Sequence, residues 1–145
     1  MPQPTAPLDV QAGALRHRSL TRPHKYGAKA TWYAGQRYDS QIEARYAAHL
    51  DLLLAAGEIV QWTRPKPVEL VARRGLRLTY RPDFWVEPKD GSPYYLDVKG
   101  VIPQSFAIRW KLWAMLRDEL LRVVDGDGQE IQPKWRRQQQ KGADH

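Results

Sequence analysis

Hydrophobic and polar positions change their period several times along the chain, and each change predicts a new element. Helical spacing comes first, in apolar residues at Ile42, Tyr46, Leu50, Leu53 and Leu54. Ser40 and Glu43 form a capping-box pattern that predicts the start of this helix, and Gly57 predicts its end. Ahead of the helix, a small hairpin is expected between Thr31–Tyr33 and Gln36–Tyr38.

A period of two in the middle of the chain predicts strands. Short strands are expected at Ile59–Trp62 and Val68–Val71, on either side of a proline-containing turn. From Leu76 to Glu87, apolar and polar residues alternate without a break, which predicts one long strand with two distinct faces. Pro82 lies within it, so this strand should run near a sheet edge or contain a bulge.

A strand, a helix and a last strand are predicted after the turn at residues 88–93. Tyr94–Lys99 should pair antiparallel with the preceding strand, because the turn between them is short. Helical spacing then runs from Gln104 to about Leu120. Two apolar rows on this helix predict extensive burial, one at Ile108, Leu112 and Met115 and the other at Phe106, Trp110 and Trp113. Leu121–Val124 should be the final strand, so the predicted fold class is mixed α/β.

The length of 145 residues fits one compact domain. We expect that domain to span residues 25–133, with a flexible basic arm at residues 1–24 and a flexible basic tail at residues 134–145. The chain has no cysteine, which excludes disulfides and thiolate chemistry and leaves oxygen or imidazole as metal ligands. No apolar run is long enough to cross a membrane, so the expected location is the cytoplasm.

The charge balance favours a polyanionic partner. Lys and Arg total 23 against 16 Asp and Glu, which gives a formal net charge of +7. DNA is the first candidate partner, although a basic surface also serves solubility alone. Four cations are either contacts for DNA phosphates or solvated charges, namely Lys25, Lys29, Arg109 and Lys111.

Asp97 and Lys99 share one face of the strand predicted at Tyr94–Lys99. Aspartate is uncommon in strands, so this pair is either a cross-strand ion pair or part of a site. Asp83 lies in the neighbouring predicted strand, from which its carboxylate can converge with that of Asp97. Two adjacent carboxylates repel each other unless a cation lies between them, and oxygen ligands suit Mg²⁺. The pattern therefore predicts a magnesium site for phosphodiester hydrolysis.

Lys99 and Glu43 each have more than one interpretation. Lys99 would position or deprotonate the attacking water, or neutralise charge in the transition state. Glu43 lies beside the apolar stripe of its helix. It is either a helix cap, a member of the site, or both.

These residues resemble a known nuclease motif. Arg81, Pro82 and Asp83, followed by Asp97, Val98 and Lys99, resemble the Pro-Asp…(Asp/Glu)-x-Lys, or PD-(D/E)xK, nuclease superfamily. The stretch from about residue 25 to residue 124 is similar to a family of small phage and prophage proteins placed in that superfamily, at Lys25, Tyr26, Gly27, Tyr38, Asp39, Ser40, Glu43, Ala44, Gly57, Glu58 and Gly100. The resemblance implies a restriction-endonuclease-like core, which consists of a helix, a mixed sheet with a catalytic hairpin, a second helix and a last strand.

The resemblance also implies roles for individual residues. Asp83 and Asp97 would ligate Mg²⁺, for which Mn²⁺ is a substitute, and the Val98 carbonyl would be a further ligand. Lys99 would assist the nucleophile, and Glu43 corresponds to the helix glutamate that joins the site in many members. No small-molecule cofactor is implied.

The implied activity is that of an endodeoxyribonuclease of phage origin. Its substrates would be branched DNA or replication and recombination intermediates, with Holliday-junction resolution as the most concrete form, and a homodimer is among the expected assemblies. Restriction-like cutting, end processing or transposase-type cleavage would use the same residues. The alternative from another class is a DNA-binding or assembly protein that retains the fold without turnover. The complete set of Glu43, Asp83, Asp97 and Lys99 favours an enzyme.

Overall fold

The structure of the chain, a computed structural model, describes residues 29–136. The arm predicted at residues 1–24, the candidate contact Lys25 and residues 137–145 of the predicted tail lie outside the described residues. The chain divides between Leu53 and Leu54 into two compact units.

The first unit contains a hairpin and most of a helix. Strands β1 (Thr31–Tyr33) and β2 (Gln36–Tyr38) pair antiparallel. The two residues between them, Ala34 and Gly35, have φ values of 50° and 79°, and a type I′ turn needs positive φ at both positions. Helix α1 (Gln41–Ala55) follows. The predicted hairpin and helix are therefore confirmed.

Helix α1 begins and ends where the sequence pattern predicts. The Glu43 backbone N–H donates to the Ser40 Oγ at 3.2 Å, which caps the first turn. Gly57 follows the helix with a φ of 77°, a value that suits glycine after a helix end. One face of the helix is buried, at Ala44, Ala47 and Leu50.

The second unit combines strands with one long helix. Its elements in chain order are β3 (Ile59–Thr63), β4 (Val68–Val71), β5 (Arg77–Tyr80), β6 (Phe84–Pro88), β7 (Tyr94–Val98), α2 (Gln104–Leu116) and β8 (Leu121–Val124). Strands β3, β6, β7 and β8 form a sheet in that order. Strand β6 is antiparallel to both β3 and β7, whereas β8 joins β7 in parallel after the crossover through α2. The mixed α/β class is confirmed.

The single long strand predicted from Leu76 to Glu87 is wrong. The structure divides it into β5 and β6, and β5 pairs with β4 in a separate two-stranded sheet. Residues 81–83 between them are outside any strand. Pro82 is fully buried there, and it has no N–H to donate to a strand ladder. The alternation of side chains survives the break because β5 and β6 each have a more buried and a less buried face.

Helix α2 ends at Leu116, about one turn before the predicted end near Leu120. Arg117 already has extended backbone angles, with φ −125° and ψ 145°. The Trp113 indole N–H donates to the Glu119 carbonyl at 2.7 Å and holds the chain as it leaves the helix. No helix within residues 29–136 has the length and apolar composition that crossing a membrane requires.

Only one of the two predicted apolar rows of α2 is buried throughout. In the first row Leu112 packs against the core, but Ile108 and Met115 are 55% and 70% exposed, so the prediction of burial is wrong for these two residues. The other row forms the core of the second unit together with residues of β4 and β8, at Leu70, Phe106, Trp110, Trp113, Leu121 and Val123. Leu78 and Tyr80 pack against this core, so the β4–β5 hairpin rests on α2.

Candidate active site

Asp83 and Asp97 lie at the same end of the β6–β7 hairpin. Asp97 is in β7, and Asp83 is the residue before β6. Phe84 pairs with Leu96, and one further step along the same register places Asp83 opposite Asp97. The structure therefore brings together the two carboxylates that the sequence pattern predicts to converge.

Each of these carboxylates accepts a hydrogen bond from the backbone beside the other. The Asp83 N–H donates to Asp97 Oδ1 at 2.8 Å. The Val98 N–H donates to Asp83 Oδ2 at 2.9 Å. We call this arrangement the reciprocal aspartate pair. It holds both carboxyl groups in place through bonds to the backbone, which do not depend on long, flexible side chains.

Tyr80, the last residue of β5, completes the cluster. Its hydroxyl donates to Asp97 Oδ2, so both oxygens of Asp97 accept hydrogen bonds. The sequence pattern did not single out Tyr80, because it is three residues from Asp83 and strict alternation puts the two on opposite faces. The break at Pro82 changes the direction of the chain and lets both residues reach Asp97. A proline inside a predicted strand was the signal for such a break.

Burial dominates the electrostatics of Asp97. The residue is 0% exposed, and burial raises the pKa of its carboxyl above the usual value. The Lys99 ammonium opposes this shift in pKa, and so do the hydrogen bonds from Tyr80 and Asp83. Burial and the charge of Asp97 also raise the pKa of the Tyr80 hydroxyl, which keeps it a donor. The ionised form of Asp97 would therefore gain from a nearby cation.

Lys99 lies on the α2 side of the sheet, next to the cluster. Its Nζ is 4.5 Å from the centroid of the Phe106 ring in α2. The same ring contacts Tyr80, with centroids 6.0 Å apart. Phe106 therefore supports both the lysine and the tyrosine that act on Asp97.

Glu43 belongs to the first unit, in the first turn of α1. Its N–H is capped by Ser40, as the capping-box pattern predicts, and its side chain is half-buried next to the buried Ala44 and Ala47. A role for its carboxylate in a metal site stays a prediction.

The candidate phosphate contacts have different surroundings. Arg109 in α2 is half-buried, and it is near enough to Tyr80 for its charge to oppose the rise in the pKa of that hydroxyl. Lys111 is exposed two residues further on, on a different side of the helix. Lys29 is exposed in the first unit. Of the two candidates on α2, Arg109 is the one near the aspartates.

The donor set suits a hard divalent cation. Mg²⁺ is held in proteins by one or two carboxylates together with waters and substrate phosphate. Asp83 and Asp97 supply two carboxylates, and a hydrogen bond to a carboxylate oxygen uses only one of its lone pairs. Within residues 29–136, no three His, Cys, Asp or Glu side chains are grouped closely enough to hold a metal. The remaining ligands would have to be waters, substrate or a backbone carbonyl such as that of Val98.

A protein family matches most of the chain. The family described as "Protein of unknown function (DUF1064)" matches residues 23–125, a stretch that contains Asp83, Asp97 and Lys99. No curated protein and no solved structure matches the chain.

Proposed function

The chain belongs to the DUF1064 family, and we propose that this member is a Mg²⁺-dependent DNA endonuclease. Its proposed substrates are branched DNA and replication or recombination intermediates. The observation that carries the proposal is the reciprocal aspartate pair, which holds two carboxylates together beside Lys99. The formal net charge of +7 supports a polyanionic substrate.

The surroundings of Asp97 argue against a purely structural ion pair. Four ion pairs among residues 29–136 join side chains that are at least 28% exposed. Asp97 is not in any of them, although it is completely buried. A buried carboxylate that lacks a direct cationic partner is costly, and a bound cation would offset that cost.

Each residue of the cluster has a distinct part in the proposed reaction. Asp83 and Asp97 hold the metal, and Tyr80 orients the second of these carboxylates. Bound Mg²⁺ would polarise the scissile phosphate and lower the pKa of the attacking water. Lys99, held over Phe106, orients that water or offsets charge in the transition state. Arg109 binds a neighbouring phosphate oxygen.

We propose that the second unit has a restriction-endonuclease-like core. The support is the order of its elements: antiparallel β3, β6 and β7, then helix α2, then parallel β8. The aspartates lie on the β6–β7 hairpin of that sheet. Because one fold hosts many functions, the activity rests on the site and not on this likeness.

One observation favours a second candidate function. Among residues 29–136, two carboxylates meet at the site but no third metal-binding side chain joins them. A DNA-binding or assembly protein that retains the fold without turnover would not need a third metal-binding side chain. The two functions differ in whether bound DNA is cut.

The test is a cleavage assay with the purified full chain. Labelled four-way junction, flap, duplex and single-stranded DNA are incubated with Mg²⁺, Mn²⁺ or EDTA. We expect metal-dependent cutting, strongest on the branched substrates, and loss of cutting in Asp97→Asn. Asp90→Asn is the matched control, because Asp90 is exposed in the turn between β6 and β7.

The outcomes separate the candidates. Circular dichroism establishes that each variant is folded. Cutting that requires metal and Asp97 but not Asp90 supports the endonuclease. Binding without cutting by the wild type supports the second candidate. If Asp97→Asn is folded and cuts as well as the wild type, the proposed site is wrong.

A further inference from the structure

The β4–β5 hairpin carries two arginines at its tip. Residues 73–75 form the loop between the strands, and the Ala72 N–H closes this loop on the Leu76 carbonyl at 2.8 Å. Arg73 and Arg74 are both exposed in this turn. The strands of the same hairpin are anchored on α2, because Leu70 is buried in the core and its partner Leu78 packs against it. The tip is therefore exposed, while the strands that carry it are packed against α2.

The backbone of the tip is unfavourable for arginine. Arg74 has φ 64° and ψ 22°, and Gly75 follows with φ 73°. Two consecutive residues of positive φ suit Asn-Gly or Gly-Gly, whereas a long side chain in the left-handed region carries a steric cost. A backbone conformation of this kind indicates a functional role when the side chain makes an interaction that offsets the steric cost.

The two arginines at the tip form no ion pair within the described residues. Neither Arg73 nor Arg74 has a carboxylate partner among residues 29–136. Arg77, on the same hairpin, differs because its Nη1 lies 3.0 Å from the Glu69 carboxylate. The two guanidinium groups at the tip are therefore available to an external anion.

The hairpin connects the tip directly to the candidate active site. Strand β5 ends at Tyr80, whose hydroxyl binds Asp97. Tyr80 is the sixth residue after Arg74, and a chain of that length spans about 20 Å at most, when it is fully extended. Phosphates on one DNA strand are about 3.4 Å apart along the axis, so the tip lies within about six base pairs of Tyr80.

We propose that the tip of the β4–β5 hairpin is a DNA-binding element, in which Arg73 and Arg74 contact backbone phosphates of duplex DNA flanking the cleavage site. The proposal rests on the proposed function, since it names a second contact with the same substrate. It assigns these two arginines to affinity and positioning, and it leaves the chemistry to the aspartates.

The test measures how binding depends on salt. The full chain is titrated against labelled duplex DNA in EDTA, so that no cutting occurs, at several salt concentrations. Each lost phosphate contact reduces the slope of log affinity against log salt by about 0.9, so the double variant Arg73→Ala/Arg74→Ala should lose about 1.8. Over a fourfold rise in salt, the wild type should then lose about tenfold more affinity than this variant.

A matched control removes the same charge elsewhere. The double variant Arg117→Ala/Arg122→Ala deletes two arginines that are already paired, with Glu119 and Glu130. Its slope should equal that of the wild type. Leu76→Ala tests the tip without changing its charge, because Leu76 is 68% exposed there, and its slope should also be unchanged.

One substitution of Arg74 should change DNA affinity and thermal stability in different directions. Arg74→Gly should weaken DNA binding and leave the melting temperature equal to or above that of the wild type, since glycine accepts a φ of 64° without strain. Arg74→Lys should keep the salt slope because it keeps the charge. A lower melting temperature in Arg74→Gly would show a structural role for the arginine and would overturn its assignment.

Failure of this inference is distinguishable from failure of the proposed function. If the wild type cuts DNA through Asp97 but the tip variants keep the wild-type slope, the hairpin assignment alone is wrong. If the wild type neither binds nor cuts DNA, both are wrong. If the slope changes with single-stranded but not duplex DNA, the assignment to duplex is overturned.

Discussion

The carboxylates at the two ends of the β6–β7 hairpin have different interaction partners. At the end with Asp83 and Asp97, the acceptors are met by backbone N–H groups and by the Tyr80 hydroxyl. At the other end, where the turn lies, an open cavity of about 860 Å³ is lined by Trp85 and Tyr94 and by charged residues. The Glu130 carboxylate there binds the Arg122 guanidinium, which lies over the Tyr94 ring with 4.6 Å to its centroid.

The difference indicates which end would suit an external cation better. The Arg122–Glu130 pair neutralises itself, and its two side chains are 35% and 33% exposed. Asp97 is fully buried and receives hydrogen bonds, but no guanidinium or ammonium binds it directly within residues 29–136. A carboxylate that is held in place but not neutralised suits metal binding, whereas a self-paired one does not.

The largest effect is expected from Asp83→Asn compared with Glu130→Gln. If Asp83 is the metal ligand proposed, its loss removes several kcal/mol of charge stabilisation, so Asp83→Asn should lower the single-turnover cleavage rate about a thousandfold or more. Glu130→Gln removes a carboxylate of the turn end and should change the rate less than about twofold. Mg²⁺ titration by calorimetry should show the same ranking. Equal losses in the two variants would mean that the ends do not differ in function.

A smaller effect is expected from Tyr80→Phe, which removes one hydroxyl and keeps the ring on Phe106. A hydrogen bond to a charged group contributes about 1.5–3 kcal/mol, so the cleavage rate should fall about tenfold to a hundredfold. The Tyr80 hydrogen bond lowers the pKa of Asp97, so its loss should raise that pKa further. Because the reaction needs the ionised carboxylate, the acid limb of the pH–rate profile should move to higher pH.

Tyr94→Phe is the control at the turn end, where burial raises the pKa of the Tyr94 hydroxyl without any contact with the aspartates. Its pH–rate profile should coincide with that of the wild type. If the acid limb of Tyr80→Phe stays in place while the protein remains folded, Tyr80 acts only on stability and not on Asp97.

Much of the site end was predictable because it depends on local pattern. Asp97 lies in β7 and Lys99 follows the last residue of that strand, and a short turn makes β6 and β7 neighbours, so the convergence of Asp83 with Asp97 follows from period and turn length. The helix cap at Ser40 was likewise readable from residue types three positions apart. In each case a few adjacent residues contain the whole physical cause.

What could not be predicted depends on partners that are distant in sequence. Tyr80 reaches Asp97 only because the chain breaks at Pro82, and periodicity alone continues the strand through that proline. Likewise, both apolar rows of α2 have helical spacing, and only the packing of β4 and β8 decides that Phe106 is buried while Ile108 and Met115 are exposed. The role proposed for Arg74 could not be predicted either. Gly75 is the only neighbouring residue that indicates a positive φ at this arginine.

The smallest effect is expected for the Arg122–Glu130 pair itself. A double-mutant cycle of Arg122→Ala and Glu130→Ala, followed by denaturant unfolding, should give a coupling of about 0.5–1 kcal/mol, because partly exposed ion pairs are screened by solvent. The coupling should decrease as salt is added. Substituting Tyr80 should instead give a stability loss that salt changes little, since the Asp97 carboxylate that accepts its hydrogen bond is fully buried. A coupling above about 2 kcal/mol would mean that the Arg122–Glu130 pair is important for the stability of the fold. The turn end could then no longer be contrasted with the aspartate end as a weakly coupled, self-neutralised pair.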